Sequence, residues 1–381
     1  MPLTDSFWQG KRVLLTGHTG FKGSWLSLWL SRLGAQTTGV ALPPATEPNL
    51  YQRAHVDKTL DSYYCDIRVE KVLVPIVRTV LPDIVFHLAA QPLVRASYRA
   101  PIDTLGTNIM GTAHLLEALR GIERVRVIIV VTTDKVYKSA GASAVYSEND
   151  PLGGHDPYSA SKAACEMVTE CYRKSFFESR GVAVATARAG NVLGGGDWSA
   201  DRLIPDAIRA WNSGLALHVR RPNAVRPWQH VLEPLAGYMS LAEKLWENPS
   251  CAGAYNFGPL AHEVATVREV VELARSAYGR GEVVYGSGND GPHEEDSLRL
   301  EVDQARTVLG LVPRWPLAAA VGRTMRWYRG LANAKDARAL CDADIAAWWN
   351  GSRHGTEDMR TLKMRVRPGK PIPQRYIQEA M

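Results

Sequence analysis

A buried strand that runs into a glycine-spaced turn and then an apolar helix narrows most what this chain can become. Arg12-Val-Leu-Leu-Thr16 reads as a buried strand, Gly17-His-Thr-Gly20-Phe-Lys-Gly23 follows, and Ser24 to Leu33 reads as an apolar helix. Glycines three residues apart let a backbone turn tightly and approach a pyrophosphate, whose charge meets the helix N-terminus. Strand and helix then keep alternating. Strands are expected at Gln36 to Ala41, Asp61 to Cys65, Asp83 to Leu88, Val125 to Val131 and Val182 to Arg188. Helices are expected at Val69 to Val80, Ile102 to Arg120 and from Pro157, a proline placed as a helix start prefers.

Such alternation predicts a parallel sheet covered by helices on both faces. The expected class is α/β, a Rossmann-type doubly wound parallel sheet with a smaller mixed α/β substrate-binding lobe. A ligand then belongs at the carboxyl ends of the strands. There fall the glycine turn, Ala89-Ala90, Thr133-Asp134 and Ala189-Gly190-Asn191. After Asn191 the rhythm breaks. Helices near Leu203 to Asn212, Pro234 to Trp246, Val267 and Leu317, with strands near Ala254 and Val283, suggest the smaller lobe. Residues 1–190 are expected to be mainly dinucleotide-binding, 191–350 mainly sugar-nucleotide-binding, with the chain free to cross between them. Residues 351–381 read as a basic tail.

Tyr158 and Lys162 are four apart on one helix and so share a face. An ammonium there can lower the pKa of the phenol and leave it poised to take a proton from an alcohol. Asp134 and Lys135, at the end of an apolar strand, add an acid and a candidate base. A simple alcohol dehydrogenase needs no such pair, whereas an enzyme that also removes water does.

A chain of 381 residues can bury a large core. Its 45% hydrophobic and 22% charged residues are ordinary for a soluble protein, and no apolar run reaches membrane-span length. The first residues lack a signal core, and the five scattered cysteines have no zinc-ligand spacing, so a cytoplasmic protein without a metal is expected. A formal charge of +6 permits an anionic small ligand without a nucleic-acid partner or a membrane.

These segments resemble the extended short-chain dehydrogenase/reductase family, and within it the nucleotide-sugar 4,6-dehydratases. The resemblance rests on Thr16 to Leu26, His87 to Arg95, Thr132 to Tyr137, Tyr158 to Lys162, Arg188 to Val192, Gly194 to Trp198, Asp201 to Pro205 and Arg226 to His230. Related dTDP-sugar enzymes carry Asp-Glu where this chain has Asp134-Lys135. Gly196-Asp-Trp198, Arg202-Leu-Ile-Pro205 and Arg226-Pro-Trp-Gln-His230 point to the CDP-sugar branch. The resemblance implies dehydration of CDP-glucose to CDP-4-keto-6-deoxyglucose through bound NAD, in a homodimer or dimer of dimers. The alternatives are a dehydratase or 4-epimerase of another nucleotide sugar, or a non-catalytic dinucleotide sensor. Where NAD enzymes of this family often have an acid after the second strand, this chain reads Gly39-Val-Ala-Leu-Pro43. NAD over NADP is therefore inferred from a redox-neutral cycle.

The resemblance also implies roles. Tyr158 takes the proton of the sugar 4-hydroxyl, Lys162 holds the nicotinamide ribose, and Thr133 bonds the same hydroxyl. Asp134 protonates the departing C6 hydroxyl. Lys135, in its neutral form, removes the C5 proton, or else it orients a water or a phosphate. The dinucleotide is expected along Gly17, Thr19, Gly20, Phe21, Lys22, Gly23, Asp66, Ile67, Leu88, Ala89 and Ala90, with Asp66 at the adenine. The sugar nucleotide is expected along Gln91, Asn191, Arg202, Leu203, Arg226 and Trp228. Trp228 either stacks on the base or fills the lobe. Asn108 and His87 are expected to be architectural.

Overall fold

The computed structural model describes residues 3–351 apart from 5, 142, 261 and 288–296, so the basic tail lies outside the described residues. The strands, in chain order, are β1 (Arg12–Thr16), β2 (Gln36–Ala41), β3 (Asp61–Tyr64), β4 (Ile84–His87), β5 (Val127–Val131), β6 (Ala183–Ala189), β7 (Val192–Leu193), β8 (Leu217–Val219), β9 (Val225–Arg226), β10 (Gln229–His230), β11 (Ala254–Phe257), β12 (Ala265–Thr266) and β13 (Val283–Tyr285). The helices are α1 (Phe21–Arg32), α2 (Leu50–Arg53), α3 (Glu70–Val80), α4 (Val94–Arg99), α5 (Pro101–Leu105), α6 (Gly111–Leu119), α7 (Pro157–Tyr172), α8 (Leu203–Asn212), α9 (Leu232–Glu247), α10 (Val267–Tyr278), α11 (Asp303–Leu309), α12 (Leu317–Ala332) and α13 (Ala337–Asn350).

A seven-stranded sheet has the order β11-β6-β5-β4-β1-β2-β3, every neighbouring pair parallel. The strand order reverses between β1 and β4, where Thr16 stands opposite His87. A doubly wound sheet opens a crevice at that point, just beyond the carboxyl ends of the strands. Two apolar layers cover the sheet. Leu14, Val85, Ile128 and Val184 point to a layer shared with α3 and α6, while Val13, Leu15, Phe86 and Ile129 point to the larger core under α1 and α9. Residues adjacent along β1 thus serve opposite faces, as the period of a strand requires.

The structure changes several expected boundaries. The first helix begins at Phe21 rather than Ser24, so the last glycine of the turn is already helical. The span expected as one helix from Ile102 is α5, a π-turn at Gly106–Met110 and α6. Ala254–Phe257, expected in the smaller lobe, is an edge strand of the main sheet paired with β6. The short pairs β7–β10, β8–β13 and β9–β12 lie outside that sheet. The sequence reading had no counterpart for α13, whose Trp348 meets Trp29 of α1 edge-on at 5.1 Å and helps bury that helix. No helix among the described residues is long and apolar enough to cross a membrane.

Candidate active site

At the end of β1 the chain turns through Gly17, whose φ of +80° suits glycine alone. A Cβ there would fall 2.7 Å from the Ala89 backbone nitrogen, and one at Gly23 would fall 2.1 Å from the Gly17 carbonyl oxygen. The turn is therefore pressed against the segment after β4 and folded on itself. No side chain caps the N-terminus of α1 at Gly20. Its first amides remain available to an anion in the cleft that Gly20, Phe21, Lys22 and Gly23 line. The Thr19 hydroxyl donates to the Leu42 carbonyl at 2.8 Å and ties the turn to the end of β2. Beyond β3, Arg68 holds the Asp66 carboxylate at 2.7 Å and lowers its pKa.

The strand–turn junction after β5 carries the candidate acid and base. Thr133 caps a single 3-10 turn, Asp134–Val136. Its hydroxyl donates to Asp134 Oδ1 at 3.0 Å, and the Lys135 ammonium lies 3.5 Å from the same oxygen. Asp134 Oδ2 is buried with no hydrogen-bond partner among the described residues. The Lys135 side chain is 27% exposed and the Asp134 side chain 1%, so the lysine reaches the cleft while the acid sits in its wall.

Helix α7 delivers Tyr158 and Lys162. Asp156 accepts the Ser159 amide at 3.0 Å and Pro157 fills the first turn, so the helix starts one residue before the tyrosine. The Thr133 hydroxyl lies near enough to the Tyr158 phenol to act against the rise in its pKa. The Lys162 ammonium donates to the Val131 carbonyl at 2.9 Å. The expectation of a lowered tyrosine pKa is corrected here: burial pushes Tyr158 up to about 12, against the opposing effect of Thr133. The Asn108 side chain, in the π-turn, bonds Ser161 Oγ at 2.8 Å and the Gln91 backbone, an architectural part as expected. His87 bonds Thr16 at 2.6 Å and Thr112 at 3.0 Å, and burial lowers its pKa to about 3.

One cleft of about 1130 Å³ gathers these groups. It is lined by Gly17, Thr19, Gly20, Phe21, Lys22, Gly23, Asp66, Ile67, Leu88, Ala89, Ala90, Thr133, Asp134, Lys135, Tyr158, Lys162, Asn191, Arg202, Leu203, Arg226 and Trp228. Arg202 pairs with Asp197 at 2.9 Å where α8 begins. Asn191 Oδ1 is buried without a partner among the described residues. Trp228 donates to the Ala265 carbonyl at 3.1 Å and is almost wholly buried, so most of its ring fills the lobe. Gln91 is the exception. Its amide turns inward to Thr104 at 2.9 Å and to both backbone groups of Leu93, which exhausts it as a ligand group and leaves it outside the cleft lining.

Three features had weak or no sequence reading. Lys22 was placed beside the cofactor for its position alone. Its ammonium lies buried among Arg202, Lys162, Asp134 and Asp197, and burial followed by Arg202 brings its pKa down to about 7. Asp197, expected only as part of the Gly196-Asp-Trp198 segment, is the partner of Arg202. Glu166 and Arg188 form a fully buried pair at 2.8 Å behind the Asp134 turn. An arginine inside an otherwise apolar strand, and a glutamate one turn past Lys162, are the signals for that pair.

A family profile described as GDP-mannose 4,6 dehydratase matches residues 14–321. CDP-glucose 4,6-dehydratase of Salmonella typhimurium is 43% identical over 92% of this chain and 99% of its own length. dTDP-glucose 4,6-dehydratase of Streptomyces antibioticus is 28% identical over 70% of this chain and 72% of its own. Among solved structures, MoeE5 in complex with UDP-glucuronic acid and NAD superposes with a TM-score of 0.71 at 27% identity, covering 83% of this chain and 98% of its own. The UDP-glucose-4-epimerase of Stenotrophomonas maltophila, 20% identical with a TM-score of 0.75 over 85% of this chain and 99% of its own, shares the fold. With the glycine turn, the Tyr158–Lys162 helix and a profile spanning most of its length, the chain belongs to the GDP-mannose 4,6-dehydratase family of extended short-chain dehydrogenases/reductases, the nucleotide-sugar dehydratases.

Proposed function

We propose that this protein is a CDP-glucose 4,6-dehydratase that works through bound NAD. The observation that carries this reading is the meeting of two pairs in one cleft, Tyr158 with Lys162 and Asp134 with Lys135. The 43% identity to the Salmonella enzyme supports the choice of CDP-glucose. The glycine cradle and the uncapped start of α1 suit the dinucleotide pyrophosphate, with Asp66 and Ile67 at the adenine end and Leu88, Ala89 and Ala90 along it. Bound there, the dinucleotide would supply a reversible hydride acceptor for the sugar.

Tyr158 accepts the 4-hydroxyl proton. With its pKa raised by burial, the phenolate needs positive charge beside it; Arg202 acts in that direction, and Lys162 on the same helix face would add to it. Thr133 holds the hydroxyl in line. Once C4 is a ketone, the C5 proton is acidic. Lys135, as the neutral amine with the pair's proton on Asp134, takes it and becomes the ammonium, while Asp134 gives its proton to the departing C6 oxygen and becomes the carboxylate, so that water leaves. Asp134 Oδ2, buried and without a hydrogen-bond partner among the described residues, supports that role. Arg202 and Arg226 meet the diphosphate, with Asn191, Leu203 and the exposed edge of Trp228 along the sugar nucleotide.

Residues 1–190 mainly hold the dinucleotide and residues 191–350 mainly hold the sugar nucleotide. The same reading places the protein in the cytoplasm, supported by five cysteines that are all free, and assembles it as a homodimer or dimer of dimers. Incubation with CDP-, dTDP-, UDP- and GDP-glucose tests the function. The 4-keto product is expected from CDP-glucose. Formation of the C4 epimer without loss of water would overturn the reading in favour of an epimerase.

A further inference from the structure

Helix α7 and the turn at Asp134–Val136 each carry one catalytic pair, yet they belong to separate elements. Chemistry that uses both pairs on one sugar ring needs them held in a fixed relation. Glu166 lies one turn beyond Lys162 on α7 and is almost wholly buried. One of its oxygens accepts the Thr132 hydroxyl, on the residue just before Thr133. The other accepts Thr186 Oγ1 at 2.7 Å and Arg188 Nη2 at 2.8 Å, both from β6. Arg188 then reaches past the turn, and its Nη1 donates to the Tyr137 hydroxyl at 3.0 Å and to the Glu148 carbonyl at 3.0 Å. The Tyr137 hydroxyl donates in turn to Asn256 Oδ1 at 2.6 Å, on β11. Tyr146 stacks on the Tyr137 ring at 4.9 Å.

A single buried ion pair therefore grips the chain at both ends of the segment that holds Thr133, Asp134 and Lys135. Thr132 is held from the helix side and Tyr137 from the sheet side. Both Glu166 oxygens and both Arg188 Nη atoms are bonded, and only Arg188 Nε has no partner among the described residues; such a buried pair is a poor source of stability but a rigid spacer. We propose that Glu166 and Arg188 are positioning residues that set the Asp134–Lys135 turn against the Tyr158–Lys162 helix. The proposal rests on the function proposed above. Tyr158 and Lys162 ride on α7 itself, so loosening the clamp should spare oxidation at C4 and slow the loss of water.

Removing Glu166 or Arg188 outright would strand a buried charge and threaten folding. The test therefore uses Thr132→Val and Tyr137→Phe, which keep the ion pair and cut its grip, the latter also removing the bond to Asn256, with Thr132→Ser as the conservative control. In Thr132→Val, kcat for CDP-glucose should fall about tenfold or more with KM little changed. Reduced nicotinamide should build up in single turnover, deuterium exchange at C5 should slow, and the melting temperature should stay close to wild type. Tyr137→Phe should move the same readouts in the same direction, and Thr132→Ser should restore them. Wild-type kcat in both Thr132→Val and Tyr137→Phe overturns the clamp. So does a loss of kcat in Thr132→Val without build-up of reduced nicotinamide, or one that serine does not restore. A wild-type enzyme that dehydrates no sugar nucleotide overturns the functional reading itself, and that measurement precedes the variants.

Discussion

At the scale of single residues, the proposed mechanism divides the chemistry between Tyr158 and Lys135. The Tyr158 phenol, pushed up to about 12 by burial, holds its proton firmly until positive charge reaches it. Tyr158→Phe removes the proposed proton acceptor for the 4-hydroxyl and leaves Arg202 and Arg226, the proposed diphosphate contacts, in place. Turnover should vanish while sugar-nucleotide affinity, read by calorimetry, changes little. Wild-type turnover in the purified variant would remove this tyrosine from the mechanism. Lys135→Met should still oxidise C4 but stall there, with reduced nicotinamide accumulating and water loss slowed by about two to four orders of magnitude. Asp134→Asn should stall at the same point for lack of a donor to the leaving oxygen. If Lys135 instead positions phosphate, its variant binds substrate weakly and no reduced cofactor builds up. Normal deuterium exchange at C5 in Lys135→Met would end its role as the base.

At the scale of elements, the glycine turn and α1 act as one unit. A methyl group at Gly23 would lie 2.1 Å from the Gly17 carbonyl oxygen, a contact that backbone alone can relieve. Gly23→Ala should therefore displace the turn and lower dinucleotide affinity, read by fluorescence titration, with an unchanged affinity refuting the close packing as a cause. The N-terminal segment is tied down by Glu243 of α9, which accepts Trp8 Nε1 at 2.7 Å and the Thr4 amide at 3.2 Å. Burial raises the Glu243 pKa from 4.5 to about 7, so the folded protein favours the protonated acid. Its contribution is complete below about 4.5 and is lost as pH rises through 7. Melting temperature should fall less across that window in Glu243→Gln than in wild type, and identical slopes would exclude Glu243 as the source. Elements with a strong period or punctuation were legible: β1, β2 and α8 have the expected bounds. The turn at Asp134–Val136 and the place of Ala254–Phe257 in the main sheet were not, because a three-residue turn has no period and strand partners are set by tertiary packing. Every expected cleft residue reached the cleft except Gln91, whose side chain satisfies a local turn that sequence spacing does not reveal.

Among the described residues, several exposed apolar side chains gather on one flank of the molecule. Ile102 is 78% exposed, Met110 51% and Met167 65%, and Tyr98 lies nearby in sequence on α4. These side chains sit on α5, the π-turn and α7, neighbouring elements on one flank of the sheet, and exposed Cys171 extends the α7 stripe one turn beyond Met167. Scattered exposed apolar residues need no explanation, whereas several on packed helices mark a contact surface. A two-fold axis would set the two helical segments of each copy against those of the other, a four-helix interface in which every patch meets its own copy. The opposite face of α7 carries Tyr158, Lys162 and Glu166, all buried. Association would thus stiffen the helix that bears the proposed proton acceptor without blocking the cleft. Sedimentation at micromolar concentration should show a dimer or a dimer of dimers, and a monomer would contradict the interface. Ile102→Glu combined with Met167→Glu places unpaired carboxylates at its centre, which an apolar contact tolerates poorly. That variant should sediment as a monomer with its fold retained by circular dichroism, and persistence of the wild-type assembly would move the interface elsewhere on the molecule.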